Sequence, residues 1–250
     1  MAEFGVGIVA WCIFALFLAG IVKGILGIGI PVVSVSLLSL AITIPTAVTL
    51  LPVPMLLSNL WQSLASGQAG NTFRRFSPLI GALVIGTFVG ARLLVDLDQR
   101  TLMGIVGAAV LVFALSAHFP RYMRLGRRGE RWLGVPIGFF AGVLGGMTTF
   151  FGPPLIMFLF ALNLGKDEFV GTISTIYLCA SIPLAAALGM FGFMNLEGYL
   201  WSAAAAVPLL LGVSLGQWLR NRISQSAFRR GLLLLLFVVG VRLIYRAVAI

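Results

Sequence analysis

The residues of this sequence that could do chemistry are polar side chains set inside long apolar runs. Six of them carry hydroxyl or amide groups: Asn59, Gln62, Thr148, Thr149, Ser174 and Ser181. Burying such groups in hydrocarbon costs free energy unless they are paired or face a cavity. For any one hydroxyl, the alternative is a bond to the carbonyl four residues earlier in its own helix. For the whole set, the sequence predicts neutral hydrogen-bond donors to a ligand.

No acidic residue lies inside an apolar run, and this bears on the charge of that ligand. All seven carboxylates lie at the ends of predicted segments: Glu3, Asp96, Asp98, Glu130, Asp167, Glu168 and Glu197. A cation pathway or a proton relay generally needs an acid within the membrane. The sequence therefore favours an anion as the ligand.

Catalytic and metal-binding signatures are missing from the sequence. It contains no GxSxG, HExxH or Walker pattern, and its single histidine, His118, lies between apolar runs. Cys12 and Cys179 lie inside apolar runs and form no CxxC or Cys/His cluster. We therefore predict neither an enzyme nor a bound cofactor or metal.

The elements that must position the polar residues contain the same interruption twice, near residues 24–31 and near 146–154. Each copy starts from Ala-Gly at the end of an apolar run, carries a Gly-xxx-Gly pair and breaks at proline before another apolar run. An interrupted backbone survives in hydrocarbon only inside protein or beside a cavity. A matched pair of such breaks points to the binding site of a membrane transporter. We expect the N–H groups of residues 28–32 and 148–153 to favour an anion, as helix N-termini do.

Three further residues at the breaks are predicted to contact the anionic ligand. Gly29 and Gly152 lie where the backbone is interrupted, and Lys23 lies in the last apolar turn before the first break. The alternative for Lys23 is that its ammonium group reaches the cytoplasmic interface. The two breaks are unequal, since only the second brings Thr148 and Thr149.

Composition places the chain in a bilayer. The sequence is 60% hydrophobic and 10% charged, and its mean hydropathy is +1.09, whereas a soluble domain is about 25% charged. The net charge of +10 comes mostly from arginines between apolar runs, which indicates membrane orientation rather than nucleic acid binding. No basic region precedes the first apolar run, so we expect residues 4–23 to be a retained segment of a multi-pass protein in the cell (inner) membrane.

Ten apolar segments fall into two series, and the pattern predicts an all-α polytopic membrane protein. The first repeat covers residues 1–118 and the second covers 132–250, joined by a basic connector at 119–131. Glycine pairs recur in the same order in both repeats, with spacings of 122 and 126 residues. This order indicates duplication. The segments 30–44 and 152–164 are short enough either to span or to re-enter.

The distribution of arginine and lysine predicts the topology. With about five helical segments per repeat, both large basic loops lie on one side, and the positive-inside rule makes that side the cytoplasm. An odd number of segments inverts the second repeat relative to the first and places both termini outside. The Gly-xxx-Gly faces allow a homodimer, although they could equally pack within one chain.

Length, the central basic loop and a glycine-rich break with a downstream proline in each half resemble the sulfite exporter TauE/SafE family of permeases. The resemblance covers essentially the whole chain. The sequence departs from the family's fuller glycine run, because the first copy reads Gly24-Ile25-Leu26-Gly27-Ile28-Gly29 and the second has Thr148-Thr149-Phe150-Phe151. The resemblance implies transport of small sulfur-containing anions such as sulfite or organosulfonates, driven by an ion gradient.

The sequence thus predicts a secondary carrier that exports such anions by alternating access around the two breaks. A passive anion channel with the same fold is the alternative, and the residues do not separate the two. A non-transporting membrane scaffold is a third possibility, which the polar residues at both breaks disfavour.

Overall fold

The computed structural model describes residues 5–116, 126–219, 222 and 224–249, and within these ranges it contains helices and no strands. The prediction of an all-helical protein is confirmed. In chain order the helices are α1 (Val6–Leu26), α2 (Ile30–Leu38), α3 (Ile44–Thr49), α4 (Pro52–Ala65), α5 (Ala69–Asp96), α6 (Gln99–Ser116), α7 (Arg127–Thr148), α8 (Gly152–Ala161), α9 (Lys166–Met190), α10 (Leu196–Leu219) and α11 (Gln225–Ala249).

Several of these helices have the length and composition of membrane spans. Five stretches of the described chain meet both requirements: Val6–Leu26, Ile44–Ala65, Ala69–Asp96, Glu168–Met190 and Leu196–Leu219. The second of them runs through α3 and α4. The chain is therefore a polytopic membrane protein, as the apolar runs predicted.

Helices α2 and α8 are half-length helices that fold back on the helix before them. They contain 9 and 10 residues, which gives each a length of about 15 Å against a hydrocarbon core of about 30 Å. The Trp11 Nε1–H of α1 donates to the carbonyl of Leu37 at the end of α2, at 2.9 Å. A methyl group on Gly134 of α7 would lie 3.6 Å from the ring of Phe158 on α8. Neither short helix is long enough to span the bilayer alone.

The chain forms two compact units, each built from both predicted repeats. Unit 1 contains residues 1–54, 97–117 and 195–250, and unit 2 contains residues 55–96 and 118–194. Unit 1 thus includes α1, α2, α3, α6, α10 and α11, while unit 2 includes most of α4 together with α5, α7, α8 and α9. The division into repeats at 1–118 and 132–250 remains a prediction from sequence.

Within unit 1, α1 and α10 pack in parallel through their glycines. A methyl group on Gly20 would lie 3.0 Å from the Cα atom of Gly212, and one on Gly24 would lie 2.7 Å from that of Gly216. Such distances leave no room for a side chain, so the two backbones touch directly, as small residues allow in lipid.

Unit 2 repeats this packing between α5 and α7. A methyl group on Gly86 would lie 3.1 Å from the Cα atom of Gly142, and one on Gly146 would lie 3.0 Å from the carbonyl carbon of Gly90. The numbering of both helices rises together along the contact, so these helices are parallel too. All four glycine pairs are therefore used within the chain, which is the alternative to a homodimer that the sequence left open.

Helices α6 and α11 of unit 1 pack in opposite directions. A methyl group on Gly104 would lie 3.8 Å from Ala247, and one on Gly240 would lie 2.9 Å from Leu111. The Arg100 side chain of α6 also donates to the Ala247 carbonyl near the end of α11. A guanidinium group at this position satisfies a terminal carbonyl and complements the negative end of the helix dipole.

Helix α7 begins earlier than the sequence predicted. It starts at Arg127, inside the predicted connector at 119–131, while residues 119–125 of that connector lie outside the described residues. Glu130 in its first turn favours the helix start by complementing the dipole. The Glu130 carboxylate also forms a two-pronged ion pair with Arg75 of α5, at 2.6 and 2.9 Å, and Arg75 reaches Glu168 of α9 at 3.1 Å. These contacts join three helices of unit 2.

Candidate functional site

The two breaks begin with the same backbone conformation, although they differ two residues later, where Gly29 has a φ of 113° and Phe151 a φ of −67°. Gly27 and Thr149, 122 residues apart, each end a long helix in the left-handed region, with φ of 80° and 63°. Each donates its N–H to the carbonyl four residues earlier at 2.7 Å, Gly27 to Lys23 and Thr149 to Gly145. The spacing inferred from sequence therefore coincides with a structural equivalence.

Thr149 is the unusual member of this pair. Glycine adopts a positive φ without penalty, whereas a β-branched residue there is strained by about 1–3 kcal/mol. The Thr149 side chain is also fully buried, and its Oγ1 has no hydrogen-bond partner in the described part of the chain. Strain and an unsatisfied hydroxyl both cost stability, and their combination at one residue makes Thr149 a candidate for contact with a ligand.

The N–H groups of the second break are mostly used within the break itself. The Phe150 N–H donates to Thr148 Oγ1 at 3.2 Å, and the Phe151 N–H donates to the Thr149 carbonyl at 3.0 Å. The Thr148 hydroxyl in turn donates to the carbonyl of Leu144 at 2.6 Å. Our expectation of free N–H donors across 148–153 is therefore wrong for Thr149, Phe150 and Phe151.

One N–H remains at the start of α8. Pro153 and Pro154 follow Gly152 and have no N–H. Among the described residues, no hydrogen bond uses the Gly152 N–H. This group lies at the positive end of the α8 dipole, where a negative charge is favoured.

Tyr177 of α9 packs directly against this point. Its ring lies 6.4 Å from that of Phe151, and a methyl group on Gly152 would lie 2.8 Å from the Tyr177 hydroxyl oxygen. Glycine at position 152 thus lets the phenol approach the backbone of the break. Sequence reasoning did not place Tyr177 in the site, although its spacing from Ser174 and Ser181 puts all three on one helix face.

The two serines of this face differ in their hydrogen bonding. The Ser181 hydroxyl donates to the Tyr177 carbonyl at 2.7 Å, which is the intrahelical alternative considered from sequence. The Ser174 side chain is 1% exposed, and its Oγ has no hydrogen-bond partner within the described ranges. Of the two serines on this face, Ser174 is therefore the one whose hydroxyl is available to bind a ligand.

Helix α4 contributes the third polar position. Its Ser63 hydroxyl hydrogen-bonds the Thr175 hydroxyl of α9 at 2.7 Å, which fixes the two helices side by side. The neighbouring Gln62 has a buried Oε1 without a partner among the described residues. Asn59, one turn earlier, is 1% exposed. Gln62 directly precedes Ser63 in the sequence, and Ser174 directly precedes Thr175, so each is next to one partner of this hydrogen bond.

Unit 2 therefore contains most of the predicted site, in three elements. The break supplies Thr148, Thr149 and Gly152, α9 supplies Ser174 and Ser181, and α4 supplies Asn59 and Gln62. The first break belongs to unit 1 and contains Lys23 and Gly29. Lys23 is 5% exposed in the last turn of α1, and Gly29 caps α2 with a φ of 113°.

The buried part of the described chain contains little formal charge. Lys23 is its one buried charged side chain, and no carboxylate is among the buried residues. No group of three or more potential metal ligands occurs among the described residues. The unpaired groups at the second break are neutral and include hydroxyl and N–H donors, which suit a guest with several acceptor oxygens.

A protein-family model described as sulfite exporter TauE/SafE matches residues 12–243. No curated protein and no solved structure gives a significant match to the chain. The family match confirms the resemblance noted in the sequence. Since members of this family are membrane transporters, it also confirms the predictions of a multi-pass membrane protein and of a transporter rather than an enzyme.

Proposed function

The chain belongs to the sulfite exporter TauE/SafE family, and on this premise we propose that it is a secondary carrier exporting small sulfur-containing anions such as sulfite or organosulfonates. In this proposal transport proceeds by alternating access and is coupled to an ion gradient. The anion binds at the second break, between donors contributed by the break, α4 and α9 of unit 2.

The observation that carries this proposal is the set of unpaired polar atoms in unit 2. Gln62 Oε1, Thr149 Oγ1 and Ser174 Oγ are buried without partners in the described chain, one from each of the three elements. A buried polar group without a partner costs about 1–3 kcal/mol. Three such costs in one unit are expected where a ligand supplies the missing hydrogen bonds.

The chemistry of these groups supports an anion. Hydroxyls donate one hydrogen bond each, and the Gln62 amide can rotate to present its NH₂ group instead of its oxygen. The Gly152 N–H adds a backbone donor at a helix N-terminus. A sulfonate or sulfite group offers three acceptor oxygens, so each oxygen can receive at least one of these donors.

The packing of α6 against α11 supports the inverted repeat that alternating access needs. These two helices are equivalent in the predicted duplication, because Gln99 and Gln225 begin them 126 residues apart. Equivalent helices of an inverted repeat cross the membrane in opposite directions, and α6 and α11 are antiparallel within unit 1. Together with the distribution of basic residues, this leads us to propose that both termini lie outside the cell membrane. The basic loops then lie on the cytoplasmic side of the inner membrane.

Transport by purified protein in proteoliposomes tests the proposed function. We expect saturable sulfite and methanesulfonate uptake that a proton or sodium gradient accelerates. Uptake no faster than in protein-free vesicles would refute the proposal, and gradient-independent flux without saturation would instead indicate a passive channel.

Two substitutions test the location of the site. Thr149→Val and Ser174→Ala each remove one unpaired hydroxyl with little change in volume, and each should raise the KM for sulfite about 10-fold or more. The matched control is Thr87→Val, because the buried Thr87 hydroxyl of α5 already donates to the Leu83 carbonyl at 2.8 Å. An unchanged KM in both site variants would remove these residues from the binding site.

A further inference from the structure

The N-terminus of α8 offers a single backbone donor to a ligand. A helix leaves its first N–H groups without partners inside the helix, but Pro153 and Pro154 in the first turn of α8 have no N–H. The Phe151 N–H donates to the Thr149 carbonyl at 3.0 Å, so the Gly152 N–H is the one that remains in the described chain. One backbone donor makes a weak anion site, because anions at helix N-termini are held by several N–H groups.

The Tyr177 hydroxyl supplies a second donor at the same point. Tyr177 is 5% exposed, and its hydroxyl makes no hydrogen bond within the described ranges. A methyl group on Gly152 would lie 2.8 Å from the hydroxyl oxygen, and such a methyl group is two bonds away from the backbone nitrogen. The phenol of α9 therefore ends beside the unused N–H of α8. Since buried hydroxyls are generally paired, an unpaired one at this place indicates a missing acceptor.

Both donors belong to parts of unit 2 that have little freedom to move. The Gly152 N–H is followed by two prolines, whose rings fix the backbone. The Tyr177 ring packs against the Phe151 ring with 6.4 Å between their centroids, and the hydroxyl hydrogen can still rotate toward an acceptor. Groups that are already immobilised lose little conformational entropy when a ligand binds. A pair of such donors is therefore suited to hold one acceptor atom.

We propose that Tyr177 is a substrate-binding residue of the second break, and that its O–H and the Gly152 N–H donate to the same oxygen of the transported anion. The inference rests on the proposed function and adds a residue to the site. An oxygen of sulfite or of a sulfonate has lone pairs for two donors. The phenol thus replaces the backbone donors that the two prolines remove from this helix N-terminus.

Transport by Tyr177→Phe in proteoliposomes tests this role, because the change removes the hydroxyl and keeps the ring. The KM for methanesulfonate should rise about 10-fold or more, as expected for the loss of a hydrogen bond to a charged group. The melting temperature without anion should not fall, since the hydroxyl has no partner to lose in the described chain. The matched control is Tyr245→Phe, which removes the same atom from a residue of α11 that is 71% exposed and should leave the KM unchanged.

The outcomes separate this inference from the proposed function. A raised KM in Tyr177→Phe, with an unchanged KM in Tyr245→Phe, supports both. An unchanged KM in folded Tyr177→Phe protein overturns the role of Tyr177 and leaves the transporter in place. A lowered melting temperature without anion means that the hydroxyl has a partner in the protein, which also overturns the role. Absence of methanesulfonate and sulfite uptake by the wild-type protein overturns the proposed function and the inference with it.

A double substitution tests whether the two donors act at one point. Gly152→Ala should raise the KM for methanesulfonate in the wild-type background, because its methyl group would displace the Tyr177 hydroxyl. In the Tyr177→Phe background that oxygen is absent, and the next atom near the methyl group is Ile156 Cδ1 at 3.4 Å, an ordinary contact. The second substitution should then add little to the first. Fold-changes in KM that multiply would overturn the assignment of both donors to one oxygen.

Discussion

Replacing Thr149 by valine should make the protein more stable and less able to bind its ligand. The Thr149 hydroxyl is fully buried and has no partner in the described chain. Valine has nearly the same shape and the same branching at Cβ, so the strain of the positive φ is common to both residues. The change therefore isolates the hydroxyl group.

The size of the effect follows from the cost of an unpaired hydroxyl. Removing it should raise the free energy of unfolding by about 1–2 kcal/mol. For a chain of this length the melting temperature should rise by about 2–8 °C. The same hydroxyl donates to a charged guest in our proposal, and losing that bond should weaken methanesulfonate binding by about 10- to 150-fold.

Thermal unfolding in detergent, with and without methanesulfonate, measures both quantities. Wild-type protein at 100 times the Kd should gain about 2.7 kcal/mol from the ligand, and Thr149→Val at the same concentration should gain much less. Thr87→Val provides a control of opposite sign. Because its hydroxyl already bonds the Leu83 carbonyl at 2.8 Å, its loss should lower stability by about 0.5–1.5 kcal/mol and leave the ligand effect unchanged.

Two results would refute this reasoning. If Thr149→Val is destabilised like Thr87→Val, the Thr149 hydroxyl has a partner in the folded protein. If Thr149→Val is more stable but keeps the full ligand effect, the hydroxyl is unpaired for a reason unrelated to the anion.

Two further predictions concern the helix contacts of unit 2. Gly86→Ala should destabilise the protein by about 1–3 kcal/mol, because the new methyl group would overlap the Phe139 carbonyl. Gly81→Ala on the same helix is the control, because its new methyl group would face open space. This control should leave the melting temperature unchanged or raise it. Glu130→Gln removes the two-pronged ion pair with the 41% exposed Arg75 side chain and should cost about 0.5–1 kcal/mol at low salt. An equal cost at high salt would contradict an electrostatic origin.

Much of the local structure of the site could be predicted from sequence, because glycine and proline act through their own backbone. The positions of both breaks, the shortness of the segments after them and the concentration of hydroxyls in the second break all follow from residue type, whereas the choice between spanning and folding back did not. Hydrogen-bond pairing could not be predicted in this way. Thr148 and Thr149 are adjacent and chemically identical, yet one hydroxyl bonds Leu144 and the other has no partner in the described chain.

The same limit applies along α9. Ser174 and Ser181 lie on one helix face and are equivalent by sequence, but only Ser181 bonds to its own helix. The backbone N–H groups of the second break were expected to be free, and three are used in the turn. In each case the outcome depends on dihedral angles and neighbours that residue type does not specify.

What the sequence determined by itself is where the helices stop and which residues are small or polar, since steric exclusion and missing N–H groups act within a few residues. Tertiary structure decided which surfaces meet. The faces of Gly20 and Gly86 are alike in sequence and could have paired with a second copy of the chain. Instead each contacts a glycine face from the other predicted repeat, Gly212 and Gly142 respectively, within its own unit. Close backbone contact requires matching surfaces at the right distance, and only the fold of the whole chain brings them there.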